Sequence, residues 1–66
     1  MLINSQARIV SQGIVSAIEG DGFTANTEDL QRQLVLALGG VPWVVDVMHA
    51  NNLMLYIVAL YLRDNA

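Results

Sequence analysis

Leu53-Met-Leu-Tyr-Ile-Val-Ala-Leu-Tyr-Leu62 runs for ten residues without a charge, an amide or a glycine, and two tyrosine hydroxyls are its only polar side-chain atoms. A helix turns about 100° per residue, so a helical stretch of this composition is apolar on every side. Such a helix has to be surrounded, and a chain of 66 residues holds little with which to surround it. The expectation is an all-α fold: a small three-helix domain, or four if the last helix breaks, with helices at about 4–19, 27–38 and 42–63. A second copy would complete it as a homodimer.

The size of the chain sharpens that expectation. Sixty-six residues allow a single domain, 1–66, and domains of this size bury only about 60% of their unfolded surface. Ordering costs roughly 1.5 kcal/mol per residue, which apolar burial must offset. With no cysteine in the sequence there is neither a disulfide nor a thiolate metal site to help. The apolar share is 55%, above the roughly 45–50% usual for soluble domains. Excess apolar surface on an undersized domain points to association.

Charge argues against two classes of partner. The net charge is −3, there is no lysine, and Arg8, Arg32 and Arg63 are spread over the whole length. Neutralising phosphates needs clustered cations, so nucleic acid and anionic membrane surfaces are both disfavoured. No basic run precedes an apolar core at the N-terminus, as a signal peptide would require. The apolar decapeptide would span only about 15 Å as a helix, against a hydrocarbon core of about 30 Å. Extending it back to Val41 encloses Asp46, His49, Asn51 and Asn52, and a central aspartate alone costs about 2.5–3.5 kcal/mol. A cytoplasmic protein is the expectation.

Along the chain, Ile3, Ala7, Val10, Ile14 and Ala17 are spaced four, three, four, three, an apolar seam that Ile9, Val15 and Ile18 widen. Gly13 lies inside this first helix, where it either is tolerated or lets another backbone approach. Gly20-Asp21-Gly22 should end it. Asn26-Thr27-Glu28-Asp29 reads as a helix start, with a capping side chain followed by two carboxylates in the first turn. In helix 2, Leu30, Leu34, Val35, Ala37 and Leu38 should face inward, Gln31 and Arg32 outward, and Gly39-Gly40 should close it. Pro42 suits the first turn of the next helix, in which Trp43, Val44, Val47 and Met48 share one face and Asp46, His49 and Asn52 the other. Asn51-Asn52 is the place where that helix would break, if it does.

Three constellations test for chemistry. Laid on a twelve-residue calcium loop, Ala17 to Glu28 puts Glu19 at position 3, Asp21 at 5, Gly22 at 6 and Glu28 at 12, and in that respect resembles an EF-hand. Position 1 is Ala17 and position 9 is Ala25, which leaves too few oxygens; a glycine-rich turn between two caps accounts for every residue. Asp46 and His49 share a helix face and form at most a polar interface contact, because no second histidine or cysteine accompanies them. Helix 2, Gly39-Gly40 and the Pro42 helix have the outline of a helix-turn-helix, yet Trp43-Val-Val-Asp-Val-Met-His49 offers no arginine, lysine or glutamine to a base edge. No catalytic residue, cofactor or metal is expected.

What remains is contact chemistry. Trp43, Met48, Met54, Tyr56, Ile57, Leu60 and Tyr61 are expected to form the dimer or partner interface, with Asp46 and His49 as its polar part. The expected function is a small acidic helical module that binds and modulates, most simply inhibits, a partner protein. Its size and charge resemble those of compact modulators carried by phage and mobile elements. The alternatives are a small transcriptional regulator with a degenerate helix-turn-helix and a small membrane-associated protein. Leu60→Asp is expected to abolish dimerisation and folding by placing a charge inside the apolar stretch.

Overall fold

In the computed structural model, which describes residues 5–39 and 52–65, three helices follow one another: α1 at Ser5–Asp21, α2 at Thr27–Ala37 and α3 at Asn52–Asp64. The all-α expectation is met, and no strand occurs among the described residues. The first ten residues of the helix expected at 42–63, and with them Trp43, Asp46, Met48 and His49 and the question of a break at Asn51, lie outside the described residues.

The start of α2 follows its sequence signature. The Asn26 side chain accepts a hydrogen bond from the Asp29 N–H at 3.3 Å, and Glu28 and Asp29 occupy the first turn beside the positive end of the macrodipole. Its end does too: the Gly39 N–H donates to the Leu36 carbonyl at 3.1 Å, and Gly39 takes φ +80°, which a side chain would resist.

Helix α1 outlasts its expected end by two residues. Gly20 and Asp21 remain helical, and the left-handed position falls on Gly22, at φ +61°. The Phe23 N–H donates to the Ile18 carbonyl at 3.1 Å, the long closing bond of a Schellman cap with Gly22 at its left-handed position. A glycine is needed only where φ is positive, so the first of the two glycines simply continues the helix.

The core is drawn from all three helices: Ala7, Ile14, Val15 and Ile18 from α1, Leu34 and Ala37 from α2, and Leu55, Ala59 and Leu62 from α3. The most extensive packing is between α1 and α3, then α1 and α2, while α2 and α3 barely meet. Two sequence expectations are corrected here. The inward arc of α1 is centred near Ser11, which is fully enclosed, whereas Val10 and Ala17 are only half-buried and Ile9 is 66% exposed. At 100° per residue, Ile14, Val15 and Ile18 bracket the azimuth of residue 11, so burying all three turns Ser11 inward and Ile9 out. The Ser11 hydroxyl finds no hydrogen-bond partner among the described residues. Likewise Gln31, expected outside, is buried beside Leu34 and Ala37, because positions three apart share a face whatever their polarity.

Gly13 gives a first test. A methyl group built on it meets nothing within 4 Å, so among the described residues no neighbouring backbone needs the space. Gly13→Ala should therefore stabilise the fold by about 0.5–1 kcal/mol, by restricting the unfolded chain and favouring helix. A thermal melt raised by a few degrees would show it; a lowered melt would mean that some other surface packs against this position.

Candidate interaction surface on helix 3

The composition of α3 makes two apolar faces, and the fold uses one of them. Leu55, Ala59 and Leu62, spaced four and three, are buried in the core with Ile14, Val15, Ile18 and Leu34. Met54, Tyr56, Val58 and Leu60 flank them half-buried. Opposite lies a row spaced four and four, in which Leu53 is 54%, Ile57 49% and Tyr61 59% exposed. On a helix this spacing forms a single ridge about 12 Å long.

A clasp between the α1–α2 turn and the first turns of α3 fixes the orientation of that ridge. The Asn52 amide donates to the Phe23 carbonyl, the Phe23 and Tyr56 rings meet edge to face with centroids 5.4 Å apart, and the Tyr56 hydroxyl donates to Glu19 Oε2 at 3.0 Å. The C-terminal end of α1 thus meets the start of α3, and the two helices run antiparallel. Phe23 itself adopts φ +71°, a conformation uncommon outside glycine and asparagine. Its carbonyl and its ring are both engaged by α3, which offsets that cost.

The hydrogen bond to Glu19 pushes the Tyr56 phenol above its ordinary pKa, with desolvation adding in the same direction. A raised pKa in the folded state stabilises the fold below the unfolded phenol pKa, and the benefit disappears as pH rises through the folded value. Wild type should accordingly lose more stability than Tyr56→Phe when melts are compared from about pH 8 to about pH 11. Equal losses would mean that this hydrogen bond contributes nothing.

Charge is nearly absent from α3. Its two charged residues, Arg63 and Asp64, pair with each other at 2.8 Å, and the bond from Arg63 holds the Asp64 carboxyl below its ordinary pKa. The other described carboxylates belong to α1 and α2: Glu19 and Asp21 on the former, Glu28 and Asp29 on the latter, Asp29 taking bonds from Arg32 and Gln33. Glu19 and Asp21 are helical, a different setting from a calcium-binding loop, and among the described residues no three His, Cys, Asp or Glu side chains come together to hold a metal ion. Nor, among those residues, is any helix long and apolar enough to cross a membrane.

Of the residues expected at an interface, Ile57 and Tyr61 lie on the exposed ridge, Met54 and Leu60 at its flanks, and Tyr56 points into the clasp. Trp43, Met48, Asp46 and His49 are outside the described residues. Leu53 was missed, although its spacing of four from Ile57 was available in the sequence. The clasp had no such signal, since Phe23 and Asn52 lie 29 positions apart. Compared with known protein families, curated proteins and solved structures, the chain matches none.

Proposed function

We propose that this chain is a small acidic protein-interaction module, with the outer face of α3 as its contact surface. The observation carrying this reading is the row of Leu53, Ile57 and Tyr61, each about half or more exposed on a helix whose other face is already used in the core. Aromatic and large aliphatic side chains concentrated in one row are the kind of group that supplies most of the energy at protein interfaces.

The test is Ile57→Glu. At an exposed helical position it should change folding stability by no more than about 0.5 kcal/mol, leaving the circular dichroism spectrum as in wild type. Association should fall about tenfold or more, both in sedimentation and in capture of host proteins on immobilised chain. Unchanged association with helicity intact would remove the ridge as the contact surface.

A further inference from the structure

We infer that the occupant of this face is the same face of a second copy, packed antiparallel about a two-fold axis passing beside Ile57. The inference rests on the reading above, that the α3 ridge is a protein contact, and adds the identity of the partner and its orientation.

Charge favours this occupant. The chain carries a net charge of −3, but among the described residues its unpaired carboxylates are on α1 and α2, and the only ions of α3 pair with each other. A strongly charged partner would find no counter-ion along the ridge, and its own charges would lose water without compensation. A neutral apolar helix face fits, and two copies of this chain meeting through α3 keep their acidic helices away from the seam.

Symmetry favours it as well. A two-fold contact must be self-complementary, each residue meeting the counterpart that meets it in return. The ridge is arranged evenly about Ile57, with Leu53 four residues before and Tyr61 four residues after. Ridges of this spacing interdigitate with one another in the commonest class of helix packing. Run antiparallel, the slender Leu53 of each copy faces the broad Tyr61 of the other, so both ends of the contact have the same thickness.

A parallel arrangement sets tyrosine on tyrosine at one end and leucine on leucine at the other, which wedges the helices apart. It also brings the two Asp64 carboxylates together and aligns the macrodipoles. The antiparallel arrangement opposes the dipoles and carries each Asp64 toward the N-terminal, positive end of the other α3.

The absence of cysteine from the chain makes the test direct. Single-cysteine variants of the full chain, Leu53→Cys, Ile57→Cys and Tyr61→Cys, are treated with a short bis-maleimide. Ile57→Cys should cross-link to a dimer by itself. Leu53→Cys and Tyr61→Cys should cross-link well only when mixed with each other. In sedimentation equilibrium, wild type should be a dimer at micromolar concentration, and Ile57→Glu should weaken it about tenfold or more.

Efficient cross-linking of Leu53→Cys to itself would overturn the antiparallel arrangement. A monomeric wild type would overturn the second copy as occupant. If that monomer still captures a host protein, and Ile57→Glu does not, the interaction-module reading stands while this inference falls. A monomer with no Ile57-dependent capture would overturn both.

Discussion

Leu55→Ala is expected to remove a large part of the stability of the fold. Leu55 is fully enclosed on α3, in one cluster with Ile14 and Ile18 of α1 and Leu34 of α2, so it is where all three helices meet. Replacing its isobutyl group by a methyl forfeits the transfer free energy of the lost carbons and leaves a cavity, together about 3–5 kcal/mol. A domain of this length has about 3–10 kcal/mol of stability altogether, so one substitution consumes a large part of it. The control is Leu53→Ala, the same chemical change on the same helix at a position 54% exposed, where no more than about 0.5 kcal/mol should be lost through the fold itself. Urea titrations of dilute protein, followed by circular dichroism, separate the two. Equal midpoints for both variants would contradict the assignment of inner and outer faces.

Ala59→Asp should be about as damaging. Ala59 has no exposed surface and packs in the cluster between α1 and α3, and of the described arginines Arg32 and Arg63 already have carboxylate partners. An isolated carboxylate there costs several kcal/mol. The helices must separate or the aspartate must protonate, so helicity lost at neutral pH should return in part on acidification. From the sequence alone the same penalty is expected at Leu60. With Leu60 half-buried at the edge of the cluster, a carboxylate at that position reaches water, so Leu60→Asp should disturb folding less than Ala59→Asp. A natively helical Ala59→Asp at neutral pH would show that α1 and α3 do not pack closely at this point.

The same contrast shows why the functional surface was only partly legible. In the sequence the stretch Leu53–Leu62 is apolar around its whole circumference, so no hydropathy pattern separates the Leu55 side from the Ile57 side. The expected interface therefore mixed residues of both kinds: Ile57 and Tyr61 on the outer ridge, Tyr56 held by Glu19 and Phe23, and Met54 and Leu60 at the margins. Polar residues show the opposite case. Gln31 is expected outward by its polarity, yet it is buried, as is Ser11, since each lies on the arc its apolar neighbours require. Polarity is an average tendency, and it yields when one turn of helix must bury several larger groups.

By itself the sequence determined where α2 starts and stops, which glycines close the first two helices, and how much apolar surface the helices carry. Asn26 caps α2, Gly22 and Gly39 take the left-handed positions, and α3 has more apolar surface than one face of a small core can use. These are local properties, set by backbone sterics, by capping hydrogen bonds within a turn, and by composition. Only the tertiary structure decided how far each helix is rotated about its own axis, and so which apolar residues are enclosed and which are left as the ridge. That rotation is set by contacts distant in the chain, Phe23 with Asn52 and Glu19 with Tyr56. Helical periodicity spaces residues around an axis, and neighbouring helices choose the direction in which that axis turns them.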